Sequence, residues 1–142
     1  MRDSSLYLLE PGTTTKKIFE LLGLEKTLLG VDAVKDGKLV AKDLNEKQIL
    51  NLIKERDKVK IIVSPLGRQG FIFGRGNQQL SDKVIEKAGV NNVIIIATPH
   101  KLLETDLLFV DTGNSKINKM LSGRRQVVCG YMIAQLKDVV SI

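Results

Sequence analysis

A chain of 142 residues, 43% hydrophobic and 27% charged, has the size at which one α/β domain buries a true core, and two full domains would be cramped. Its 22 Lys and Arg against 16 Asp and Glu, a net charge of +6, argue against an acidic mimic of a polyanion and suit a phosphate-bearing partner without proving one. No apolar run nears the ~20 residues of a membrane span and none stands at the N-terminus, which predicts a cytoplasmic protein with no membrane partner; aromatics at 4% with no Trp supply few stacking platforms for nucleic acid.

The first predicted element is a strand, Ser5-Leu6-Tyr7-Leu8-Leu9, broken at Pro11-Gly12. Thr13-Thr14-Thr15 then offers an N-cap hydroxyl for a helix with Ile18, Phe19, Leu21 and Leu22 on its inner side, stopping at Gly23. A strand from Leu28 to Val34 and a second over Leu39-Val40-Ala41 flank Asp36-Gly37, a hairpin turn signal. Asn45 caps a helix through Ile53, and Val59–Val63 reads as a buried strand. From Leu66 to Gln79 the glycines and amides predict a long loop without regular structure. A helix from Ser81 to Gly89, the strand Val93–Ala97, a short helix around His100 to Leu103, the strand Leu107–Val110 and a helix carrying Ile117, Met120 and Leu121 follow. Gln126–Tyr131 and Lys137–Ile142 read as closing strands. Alternating strands and helices predict an α/β fold, a mostly parallel sheet flanked by helices in a Rossmann-like three-layer arrangement, with a hairpin excursion near residues 28–41.

In an open parallel sheet ligands bind at the carboxyl ends of strands, where helix N-termini favour anions, and four polar loops are expected there. Gly12, Thr13, Thr14, Thr15 and Lys16 combine close backbone approach, hydroxyls and a base at a helix start, although an ordinary N-cap explains them equally. The second loop holds Gly67, Arg68, Gln69, Gly70, Gly74, Arg75, Gly76, Asn77 and Gln78, with no carboxylate from Lys58 through Ser81; the arginines suit phosphate and the amides suit a base, ribose or amide. Asp32, and Asp111 with Thr112 and Gly113, can hold a sugar hydroxyl or serve as turn residues. Thr98 ends a strand before Pro99. A single Cys129 and a single His100 leave no Cys/His set for a metal, and the acid-free stretch from Asn114 to Lys137 suits a solvated face or a subunit contact.

Tyr7 to Lys16, Leu28-Leu29-Gly30-Val31-Asp32, Gly70 to Gln79, Ala97-Thr98-Pro99 and Val110-Asp111-Thr112-Gly113 together resemble the C-terminal domain of the predicted ATP- or polyphosphate-dependent NAD kinases of archaea and bacteria, including members labelled acetoin-catabolism proteins. Glu10 and Arg68 stand where that family usually has Gly. The family's Gly-Gly-Asp-Gly motif, which lies in an N-terminal domain, is absent here. The resemblance implies a nucleotide-binding C-terminal domain with NAD, NADP or ATP as ligand and Mg in the whole kinase. It also implies a missing N-terminal kinase domain as partner and catalysis that this piece does not perform alone; a homo-oligomer is expected. From Gly30 to Ser64 the pattern also resembles sugar-phosphate-binding domains related to ribose-5-phosphate isomerase, leaving a sugar-phosphate enzyme or sensor as the alternative.

Overall fold

The computed structural model describes residues 3–21, 23, 30–65, 69–74, 77–130 and 132–142. Leu6–Leu9 form β1, buried along its whole length. The chain turns at Gly12, whose φ of 139° few side chains tolerate, into α1 (Thr13–Leu21). A hairpin follows, β2 (Val31–Lys35) and β3 (Lys38–Leu44), joined where Asp36 and Gly37 both take positive φ, 53° and 74°, as a tight hairpin turn requires. Asn45 begins α2 (Glu46–Ile53) with a reciprocal pair of bonds to Gln48, each 2.9 Å, so two orphan amides are satisfied at once. Then come β4 (Val59–Val63), β5 (Phe71–Phe73), α3 (Asp82–Ala88) between Ser81 and Gly89, a 3-10 turn at Val90–Asn92, and β6 (Val93–Ile96). The chain ends with α4 (Pro99–Glu104), β7 (Leu107–Val110), α5 (Ser115–Leu121), β8 (Gly123–Gly130) and β9 (Ile133–Ser141).

The strands form one mixed, mostly parallel sheet in the order β3-β2-β1-β4-β6-β8-β9-β7-β5. β1, β4, β6 and β8 run parallel, and β2 and β3 turn back antiparallel as the Asp-Gly signal predicts. β9 is antiparallel to β8, while β7 and β5 run parallel to β9, so the last three strands of the order oppose β1, β4 and β6. The inner face carries the main core, in which Leu8, Ile61, Ile95, Val127, Val139 and Leu108 meet Ile49, Val84, Ile85, Ile117 and Leu121 of the helices. A second cluster of Tyr7, Leu9, Val34 and Ile62 lies on the opposite face.

Three expectations are corrected. The stretch 66–79 is not all loop: Phe71, Ile72 and Phe73, all buried, form β5 because three consecutive apolar residues find a free edge on β7. The two closing strands are one long hairpin, β8 and β9, each starting earlier than predicted, at Gly123 and at Ile133. Leu21 does not face inward but is 89% exposed; the side chains of Ile18 and Phe19, and all of Leu22, Leu28 and Leu29, lie outside the described residues.

Candidate functional site

The carboxyl ends of β1 and β4 meet in a buried polar cluster built around Glu10, which is fully buried. Its Oε1 accepts from the backbone N–H of Ser64 and, at 2.5 Å, from the Ser64 hydroxyl. Its Oε2 accepts from the Asn77 amide at 2.9 Å, and the same amide nitrogen donates to the Ile72 carbonyl at 2.8 Å. A buried carboxylate persists only with such donors, since each of its lone pairs has lost water. The sequence from Lys58 to Ser81 has no acid, and β1 supplies the one that its donors need. The Oδ1 of Asn77, wholly buried, has no hydrogen-bond partner among the described residues.

The glycine-threonine turn wraps the same place. The Thr15 hydroxyl donates to the Glu10 carbonyl at 2.7 Å and lies 3.1 Å from that of Gly12, so buried Thr15 locks the turn and its hydroxyl is already engaged. Thr14 is half-buried and Lys16 exposed, and α1 has no acid in its first turn. Asp32 stands beside Leu9 in register; it is fully buried, and its Oδ1 accepts the Asp43 N–H at 2.7 Å. That bond steadies Asp43 at a positive φ of 54°, a structural task that Asp32 performs from within β2 and not from a turn. Thr98 lies past the end of β6, where its Oγ1 caps α4 by accepting from Lys101 N at 3.1 Å.

The expectation that all four loops leave one edge is corrected by strand direction. β5 and β7 run against β1, β4 and β6, so Asp111, Thr112 and Gly113 leave the sheet in the opposite sense. Thr112 donates through both its N–H and its hydroxyl to Asn118 Oδ1, at 2.9 and 2.6 Å. Gly74, with φ of 97°, lies so close to the Asp111 carbonyl that a Cβ would overlap it, which packs Asp111 against the end of β5. Gln69 and Gly70 sit at the other end of β5. Gly70 presses on the start of β7, where a Cβ would meet the Leu107 carbonyl oxygen at 2.8 Å and, just before the strand, Thr105 Cγ2 at 2.7 Å, and Gln69 lines a hollow of about 560 Å³ with Phe71, Leu107 and Phe109. Gln78 is exposed. Gly67, Arg68, Arg75, Gly76 and the Thr13 side chain lie outside the described residues.

Sequence reading missed Glu10 and Ser64. An acid directly after four buried strand residues was the available signal, because a carboxylate there must find donors inside the fold. Among the described residues no group of three or more His, Cys, Asp or Glu side chains is placed to hold a metal ion, and no helix is long and apolar enough to cross a membrane. The fit to a nucleotide is mixed in charge. Glu10 opposes a phosphate in its immediate reach, whereas the acid-free start of α1 and exposed Lys16 favour one, and the orphan Asn77 carbonyl calls for a donor such as a hydroxyl or an amino group.

The sequence matches the family of ATP-NAD kinase C-terminal domains over residues 2–138. No curated protein and no solved structure matches the chain.

Proposed function

The chain belongs to the ATP-NAD kinase C-terminal domain family, and we propose from that premise that it is the nucleotide-holding part of an NAD kinase. In this reading the Gly12 turn and the segment from Gly74 to Gln78 take up a phosphate and the polar portion of NAD or ATP, with Lys16 and Arg75 as the cationic contacts. Phosphoryl transfer requires positioned phosphates, a metal ion and an oriented hydroxyl. The chain's own contribution is the first of these, and an N-terminal domain with its Gly-Gly-Asp-Gly motif contributes the rest.

The observation that carries this reading is the bond between Glu10 and Asn77, since it draws together the turn that leads from β1 into α1 and the polar segment that follows β5. The Asn77 Oδ1, without a partner among the described residues, adds a recognition group for a ligand hydroxyl or amine. Glu10 acts here as a positioning residue, because its two oxygens are engaged by Ser64 and Asn77.

The test is thermal stabilisation of the protein by NAD, NADP, ATP and ribose 5-phosphate. Stabilisation by a nucleotide and not by the sugar phosphate is expected, and Arg75→Ala should weaken that binding by roughly 1–3 kcal/mol, the range of a charge-assisted contact. Stabilisation by the sugar phosphate alone would replace this reading with the sugar-phosphate one, and a ligand bound equally well by Arg75→Ala would remove Arg75 from the site.

A further inference from the structure

The hollow of about 560 Å³ beside β5 and β7 is lined by Phe71, by Phe109 and by the consecutive residues Glu104, Thr105, Asp106 and Leu107. Its volume falls within the roughly 300–1,000 Å³ of pockets that take small molecules. Two of the chain's four phenylalanines meet there, their rings 5.6 Å apart and tilted by 37°. A sequence poor in aromatic side chains thus concentrates two of them on one hollow, next to Leu107, which is 41% exposed.

Thr105 is buried, and its Oγ1 has no hydrogen-bond partner among the described residues. A buried hydroxyl without a partner costs the fold free energy, and a ligand that donates to it removes that cost. The surrounding backbone is already fixed. Lys137 Nζ donates to the carbonyls of Leu102 and Thr105 at 3.1 and 3.0 Å, and the Phe109 N–H donates to the Gly70 carbonyl at 2.9 Å. Walls held in this way lose little freedom when a ligand enters.

Charge selects the ligand. Glu104 and Asp106, both exposed, flank Thr105 in the lining of a chain that carries +6 overall. Glu104 lies 3.1 Å from His100, an ion pair only when the imidazole is protonated, and Asp106 has no ion-pair partner among the described residues. Lys137, the cation behind them, is engaged with the two carbonyls at the end of α4. Aromatic ring faces attract cations, and a carboxylate accepts paired N–H groups from a planar cation, so both features of the lining favour the same chemistry. We propose that this hollow is a second binding site, for a flat aromatic cation that lays its ring on Phe71 and Phe109, donates to Asp106 and gives an N–H to Thr105 Oγ1. It is independent of what the Glu10 edge binds.

The experiment titrates the protein with benzamidine, benzamide and benzoate, which share a ring and a size and are cationic, neutral and anionic, and follows backbone amides by NMR. Benzamidine is expected to bind about three- to tenfold more tightly than benzamide, the scale of one charge-assisted contact at a partly exposed site, and benzoate more weakly than either. The amides that shift lie at Gly70, Phe71 and Thr105 to Phe109, and those of Glu10 and Asn77 stay in place. Asp106→Asn, at an exposed position, abolishes the preference for benzamidine over benzamide. Thr105→Val weakens benzamidine binding yet raises the denaturation midpoint of the unliganded protein, because it removes the unpaired hydroxyl at nearly constant shape. Equal binding of benzamidine and benzamide overturns the proposal, as does a preference that survives Asp106→Asn. So does the absence of binding by all three up to about 10 mM, the result expected of a hollow reserved for another protein domain.

Discussion

Glu10 and Asn77, 67 positions apart in the chain, share a buried hydrogen bond of 2.9 Å. β1 and β5, which precede them, are separated by five other strands in the sheet order. Such a bond closes a long loop, so its parts should act as one unit. Asn77→Ala leaves one Glu10 oxygen without that buried donor and should cost about 1–3 kcal/mol in urea unfolding. Ser64→Ala should cost a similar amount, and the double variant less than both added together, with a coupling of about 0.5–3 kcal/mol. Strict additivity would mean that the cluster is three independent contacts.

Gly74 and Gly113 both hold positive φ, 97° and 80°, yet they predict different outcomes. Nothing lies within 4 Å of a Cβ at Gly113, whereas one at Gly74 would overlap the Asp111 carbonyl. Gly113→Ala should therefore cost only the left-handed strain, about 1–2 kcal/mol. Gly74→Ala should cost clearly more, because β5 must also shift from β7, and comparison of their denaturation midpoints decides the point.

Asp3 is held well below the ordinary carboxylate range, first by its 2.5 Å bond to Lys60 and then by bonds from Tyr7 and Ser5. Lys60 is raised in turn, mainly by Asp3, and burial raises the Tyr7 phenol. A depressed carboxylate stabilises the fold above its unfolded pKa and loses that contribution as pH falls toward the folded value. The stability difference between the natural protein and Asp3→Asn should thus be small, as befits an exposed pair, present at pH 7 and shrinking below about pH 4. A difference that grows on acidification would contradict the sign.

Asn45 closes its capping box with Gln48 in the open, where no tertiary packing compensates for its loss. Asn45→Ala should lower stability by about 1 kcal/mol, and Gln48→Ala by less, as seen in chemical denaturation of each.

Local structure was legible wherever a cause lay within a few residues. Asp36-Gly37 determined its turn, Asn45 and Ser81 their helix starts, and Val59–Val63 and Val93–Ile96 their strands, since turn dihedrals, caps and β-branched burial are short-range effects. The sequence likewise carried the family motifs that the match over residues 2–138 bears out.

What it could not carry were facts set by partners far along the chain. Phe71–Phe73 became a strand only because β7 left an edge open to it, and Asp111 came to leave the sheet against the sense of Glu10 only because β9 folds back on β8 before β7 joins it. Glu10 read as a departure from a glycine and proved to be the acceptor for Ser64 and Asn77. Period and propensity record what a residue prefers beside its neighbours, whereas burial of a charge is decided by whichever donors the finished fold delivers, and that choice belongs to the tertiary structure alone.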